Sequence, residues 1–512
     1  MSSSAFLPAW PLAQKRAAAA LSALLCALAA LTGCTTVGPD FKPADVDAPA
    51  QWSDRHGGSE TLAAAASSTA SLPADRWAAF GDAELTRLQA LALQANQDVK
   101  TAALRVLQSR VEEATVSAQR GVQVGAQGGV SRQRQSEYGS ESRLVSAIGG
   151  SNTQPLLDVL SAPFTLYDAG FDASWEPDLW GRILRSEEAA KANTDGQQAS
   201  LRQVGLSVKA EVARSYFVLR SAQRQRLLTQ DELAAAQEME SLLGAQYRTG
   251  VADESAVIRQ HSQVASLQAL LPPLLAQEAQ AMNQITLICG VEPGGLNGEL
   301  SAKRMSRNAP ALPDLRLGLP SDLARRRPDV AAAEARLHAA TANIGIAVAD
   351  LYPRITLGAN FGLEAVGSRK FGDWGSRQWT VGPSLSLPVF DRGRRRSVIN
   401  LRELQQQEAA VAFQQAVLKA WHEVDDSISA YVAETQRDAQ LLERVRDAED
   451  DASLARARYA NGLTSYMPVL SATAALLEAQ RDLTESTARV HTALAALYKA
   501  LGDDGEGRIA GT

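Results

Sequence analysis

Three cysteines and five histidines in 512 residues, with aromatics at only 5%, set the first limits. Cys26 and Cys34 both lie at the N-terminal end, so Cys289 stands alone and no intrachain disulfide framework is available. His56, His261, His338, His422 and His491 are scattered without His-x-x-x-His spacing, and no Gly-rich phosphate loop follows a strand. The expectation is therefore no enzyme, no cofactor and no metal site, with the histidines at the surface. Charge of one sign is also missing: 51 Lys+Arg face 57 Asp+Glu for a net charge of −6, which gives nucleic acid no basic face. Beyond the N-terminus no stretch reaches the length of apolar residues that a spanning helix needs. A membrane crossing would have to be made by strands.

What is present begins with Lys15 and Arg16 before an apolar run over 17–31 that ends in Leu31-Thr32-Gly33-Cys34. The run is shorter than the ~20 residues of a bilayer span and reads as a secretory signal peptide over 1–33. The small residues before Cys34 make it a lipoprotein processing site, with Cys34 as the acylated first residue of the mature chain; several acyl chains anchor stably where one does not. Thr35, in place of an aspartate, favours sorting to the outer membrane. Residues 34–80 read as anchor and Pro/Ala/Ser-rich tether.

The rest is duplicated. Adding 212 to a first-half position recovers its partner: Gly181-Arg182 meets Gly393-Arg394, Glu211-Val212 meets Glu423-Val424, and Tyr247 and Gly250 meet Tyr459 and Gly462. Upstream the offset becomes 231, pairing Asp98-Val99 with Asp329-Val330, so the first half carries an extra loop within 131–163. The repeats span 81–300 and 321–502, with a linker at 301–320 and a tail at 503–512. Each reads helix, strand, loop, strand, long helix, tight turn, helix.

The first helix starts at Asp82, with Leu85, Leu88, Ala92 and Ala95 at helical spacing, and runs to about Gln119. "GVQVGAQGGV" and "FDASWEPDLW" alternate as strands. In the second half Ile355, Leu357, Ala359, Phe361 and Leu363, then Trp379, Val381, Leu385, Leu387 and Val389, mark one apolar strand face. A lipid-facing barrel strand looks like this, as does a soluble sheet with one buried face. Trp175, Trp180, Trp374 and Trp379 lie near strand ends, where an aromatic girdle would sit. Between Arg394 and Tyr459 there is neither Pro nor Gly, enough for an unbroken helix of about 100 Å. Four strands per chain cannot close a barrel in lipid. Several chains would have to, as eight, twelve or sixteen strands, and a lumen opens from about twelve.

The stretches "LTGCTTVGPDFKP", "RWAAFGDAELTRL", "ASWEPDLWGR" and "LPSDLARRRPDVAAAEARLHAATANIGIAVADLYPRITL", with the two Tyr-x-x-Gly tips, resemble the outer-membrane efflux proteins, or outer-membrane factors, TolC-like and of the NodT-type lipoprotein branch. The resemblance covers nearly all of the mature chain. It implies an α+β membrane protein in which a homotrimer closes a 12-stranded outer-membrane β-barrel continued by a long periplasmic α-helical barrel. It also implies a passive exit duct for an inner-membrane pump, commonly of the resistance-nodulation-division type, joined through a periplasmic adaptor. By the same resemblance the adaptor meets the tips at Tyr247, Gly250 and Val251 and at Tyr459, Gly462, Leu463 and Thr464. The family often places entrance aspartates after the second tip, where this chain has Pro468 and Ser471. Asp253 and Glu254 after the first tip are the nearest candidates, and a solvated helix start is the alternative. The basic clusters Arg325–Arg327 and Arg392–Arg396 would sit near the membrane or cap helices. An exit duct of a secretion system has the same architecture; a non-pore periplasmic coiled-coil scaffold is the alternative of another class.

Overall fold

The computed structural model describes residues 36–43, 76–139, 154–301 and 326–502. The signal peptide, Cys34, Arg325, most of the tether and linker, and the tail lie outside them. The chain divides into two compact units, residues 1–42, 110–192 and 338–408 in one and 43–109, 193–337 and 409–512 in the other.

The first unit holds the strands β1 (Gln123–Gln133), β2 (Phe164–Trp175), β3 (Arg354–Val366) and β4 (Arg377–Ser386), antiparallel in the order β1-β2-β3-β4. β2 begins seven residues before the expected Phe171, and its expected end is corrected too. Glu176–Trp180 leave the sheet, because Pro177 lacks the N–H a ladder needs. Helix α3 (Gln154–Ser161) lies within the extra segment of the first half.

The duplication is explicit in the helices. α4 (Arg182–Arg248) and α8 (Arg394–Ala460) are each 67 residues long, and their ends differ by 212 at both termini. Each starts after a left-handed glycine, Gly181 at φ 74° and Gly393 at φ 83°, which turns the chain from strand into helix without a Cβ penalty. Shorter helices, α5 (Glu254–Ile288) and α9 (Met467–Ala500), return, and a single turn, α6 (Asn297–Leu300), follows the first of them. Among the described residues no helix is long and apolar enough to cross a membrane.

The helix expected from Asp82 to Gln119 is two helices, α1 (Ala83–Ala95) and α2 (Gln97–Ser117). Asp82 caps the first, accepting the N–H groups of Glu84 and Leu85. Asn96 interrupts it with an extended ψ of 134° and accepts the N–H groups of Asp98 at 2.9 Å and Val99 at 3.2 Å. A short amide side chain competes with the helix for those donors. Asn96 Nδ2 also donates to the Ile288 carbonyl at 2.9 Å. In the second half Arg327, 231 residues on, starts α7 (Pro328–Ala349) and donates from Nη1 to the Ala500 carbonyl at 3.0 Å; Ala500 is 212 residues after Ile288. One hinge has been built twice with different side chains.

In the second unit Trp77, Phe80, Phe217 and Tyr498 pack together. His491, expected at the surface, lies 8% exposed among them, its ring 4.6 Å from Phe217.

Candidate functional site

Two places carry the features a conduit needs, the faces of the sheet and the tips of the helical hairpins. Strand alternation sends successive side chains to opposite faces, and the register aligns them across all four strands. On one face Ala126, Phe171, Phe361 and Trp379 form a row, with Val124, Ala173, Ala359 and Val381 beside it. Phe361 is 51% exposed and Trp379 68%, so nothing among the described residues covers that face. The opposite face carries Gln123, Gly125, Gln127 and Gly129 on β1, Asp168 and Asp172 on β2, Asn360 and Glu364 on β3, and Gln378, Thr380 and Ser384 on β4.

Asp168 pairs with both Gly129 and Glu364, and Asp172 with both Gly125 and Asn360. The glycines make room for the carboxylates: a Cβ on Gly125 would meet Asp172 Oδ1 at 2.8 Å, and one on Gly129 would meet Asp168 Oδ1 at 2.9 Å. The polar face thus gathers Asp168, Asp172 and Glu364, which sequence reading missed. The signal was there, since the alternation of "FTLYDAGFDASW" runs upstream of Phe171 with both aspartates on its polar phase.

At the end of the sheet where β2 leads into α4, Trp180 is stacked on Tyr352 with centroids 4.7 Å apart and donates to the Pro353 carbonyl at 2.8 Å. It braces the junction between β2 and α4. Trp374 and Trp379 are exposed, Trp374 beneath the Arg377 guanidinium at 4.1 Å. Glu176 takes bonds from Arg182 at 3.2 and 3.1 Å, so the junction charges neutralise one another. The Arg392–Arg396 cluster is held by Asp391, whose carboxylate accepts the N–H groups of Gly393 and Arg395 and caps α8.

The tips are matched turns. Gly250 (φ 77°) donates its N–H to Tyr247 O at 3.0 Å and Val251 donates to Gln246 O at 2.9 Å; Gly462 (φ 68°) donates to Tyr459 O and Leu463 to Arg458 O, both at 2.9 Å. This pair of bonds is the Schellman motif, in which the residue after the glycine usually packs back on its helix. Here Val251 and Leu463 are each 76% exposed. Tyr459 reaches the other tip, donating to Gln246 Oε1 at 3.3 Å, and Tyr466 packs edge-on against it at 5.3 Å. Burial pushes the Tyr466 hydroxyl up to about 12, so that ring is a neutral strut.

Asp253 and Glu254 stand at the start of α5. The Ser255 hydroxyl bonds the Asp253 carboxylate at 2.5 Å and, with neighbouring backbone N–H groups, holds its pKa below the usual carboxylate range. Pro468 sits in the first turn of α9, where a missing N–H costs nothing. No group of His, Cys, Asp and Glu suited to a metal occurs among the described residues.

The family model for outer membrane efflux proteins matches residues 88–291 and 319–503. The chain belongs to that family. The pyoverdine export outer membrane protein OpmQ of Pseudomonas putida is 33% identical over 445 residues, 85% of this chain and 90% of that protein. Outer membrane protein OprJ of Pseudomonas aeruginosa is 27% identical over 493 residues, 95% of this chain and 96% of that protein. Among solved structures, the outer-membrane channel OprN superposes with a TM-score of 0.77 at 29% identity, covering 92% of this chain and 99% of that one. This outer membrane efflux protein therefore has the TolC-like channel fold, with strands for the outer membrane and long helices for a helical barrel.

Proposed function

We propose that three copies close one duct, a 12-stranded barrel continued by a helical barrel, and that the duct is the passive exit of a tripartite efflux pump. The observation that carries this is the sheet: among the described residues β1 and β4 have unpaired edges, one face is apolar and uncovered, and the other is polar. Open edges are not tolerated in lipid, so β4 of one copy pairs with β1 of the next. Cys34 anchors the chain to the outer membrane, and the two repeats, 81–300 and 321–502, each contribute segments to both compact units of a copy. The protein performs no reaction. Energy comes from an inner-membrane pump of the resistance-nodulation-division type, which also selects the cargo. The pyoverdine exported with OpmQ supports small organic molecules as that cargo.

Single-channel recording and mass measurement of the lipidated protein test this. A trimer giving small, flickering pores is expected; a monomer without bilayer activity would sink the duct.

The adaptor docks on the tips, with Val251 and Leu463 as apolar knobs on turns shaped by Gly250 and Gly462, and Tyr247, Tyr459 and Thr464 around them. Because both knobs are exposed, Val251→Ser with Leu463→Ser should leave stability within about 0.5 kcal/mol. Loss of two interface anchors should weaken adaptor binding by roughly 2 kcal/mol or more, about thirtyfold. Binding of the purified adaptor to both proteins, with melting curves alongside, reads the two numbers. Asp253 and Glu254 serve as entrance acids in this duct, their ring favouring cations.

A further inference from the structure

The stretch TVGPDFKP, residues 36–43, takes no part in the sheet or the tips, yet it is docked. Within the first unit, Val37 donates its N–H to the Trp180 carbonyl at 3.2 Å. Arg185 Nε donates to the Val37 carbonyl at 3.4 Å, and the same guanidinium pairs with Asp40 and, at 2.7 Å, with Glu188. The Phe41 ring lies flat on His338 with centroids 4.3 Å apart. The contact is cut to backbone dimensions. A Cβ on Gly38 would fall 2.5 Å from the Gly345 Cα, one on Gly345 would fall 2.9 Å from Arg185 Cγ, and one on Gly181 would fall 2.7 Å from Thr36 Cγ2.

We propose that residues 36–42 form a clamp, with Arg185 as its positioning residue, that holds the acylated N-terminus against the junction where β2 runs into α4. Thr36, two residues after Cys34 in the chain, touches Gly181 at that junction. The acyl chains of Cys34 then enter the leaflet beside the foot of the barrel. The anchor and the strands share one depth, and the tether that follows Lys42 does not separate them. Arg185 keeps Glu188 when the segment leaves, so the seat survives undocking and the clamp can be released without unfolding the body. The placement of the leaflet rests on the duct reading above; the clamp itself does not.

Hydrogen–deuterium exchange on the lipidated protein in detergent tests the clamp. The 36–42 peptide should be protected in the wild type. Its exchange should quicken at least tenfold in Gly345→Val, which fills the seat, and in Arg185→Gln, with the long helices unchanged; Arg185→Lys should recover part of the protection. Asp40→Ala with Phe41→Ala, on the clamp itself, gives the same release without touching the body. A wild-type peptide exchanging as fast as free chain, or one keeping its protection in all these variants, overturns the proposal. A protected clamp in a protein that opens no pore would overturn the duct and leave the clamp standing. A conducting trimer with an unprotected clamp would do the reverse.

Discussion

Phe361→Arg is expected to abolish the trimer, while Asn360→Arg, one residue away, is expected to leave it assembled and to change only what passes through it. Phe361 sits mid-strand on the apolar, uncovered face, level with Phe171 and Trp379. A guanidinium on the lipid side of a barrel costs about 2–4 kcal/mol near the midplane. In a closed trimer each substitution is made three times, so the assembly loses about 6–12 kcal/mol, comparable to the whole stability of a typical domain. Asn360 points the other way, beside Asp172 in the register, and an arginine there meets water and a carboxylate. It should pair with Asp172 and, with Asp168 and Glu364 nearby, reduce any preference for cations. Semi-native gels and heat-modifiability read the first effect, and reversal potentials under a salt gradient read the second. Trimer loss in Asn360→Arg alone would mean that the two faces have been assigned the wrong way round, and loss in both would mean that the sheet does not have one lipid face and one water face.

That a single residue's parity decides between these outcomes also shows where the sequence was legible. The duplication fixed both long helices to within a residue of their observed ends, because a constant offset leaves no freedom once Gly181-Arg182 is matched to Gly393-Arg394. The tips were legible for a similar reason: Tyr-x-x-Gly at the end of a Pro-free run leaves the glycine as the only place for a left-handed turn. Three features were hidden. Helical periodicity runs through Asn96 without a break, and only its contacts with Asp98, Val99 and Ile288 show that it caps instead of continuing. Asp168 fell outside the strand as first drawn, so the acidic row on the polar face went unseen. The basic cluster at Arg325–Arg327 gives no sign in sequence that one of its members is a buried structural cation.

Arg327 is that cation, and Arg327→Ala should cost about 3 kcal/mol, the low end for removing one partner of a buried pair. Its side chain is 5% exposed; Nε and Nη2 hold the Asp329 carboxylate, Nη2 also holds Glu423, and Nη1 takes the last carbonyl of α9 from Ala500. Glu423 is 42% exposed with Lys419 at 3.6 Å, so water and lysine would recover it. The cost falls on Asp329 and the Ala500 carbonyl. Arg326→Ala, exposed and next in sequence, should change stability by no more than about 0.5 kcal/mol. Acid separates the effect from simple loss of packing. Burial opposes ionisation of Asp329, but the hydrogen bonds and charge of Arg327 outweigh it and hold the carboxyl below its usual range. A depressed folded pKa adds stability that is fully present above the unfolded value, about 3.9, and is lost as pH falls through the folded one. Wild-type melting temperature should therefore drop below about pH 4, and the drop should be shallower in the variant, where Asp329 is no longer held ionised while Glu188, also held below its usual range, still contributes. The matching hinge of the first repeat uses the neutral Asn96 to hold Ile288, so it contributes no such step. If the acid step is undiminished in Arg327→Ala, it arises elsewhere, and the Arg327–Asp329 pair is not the joint that fastens the second repeat.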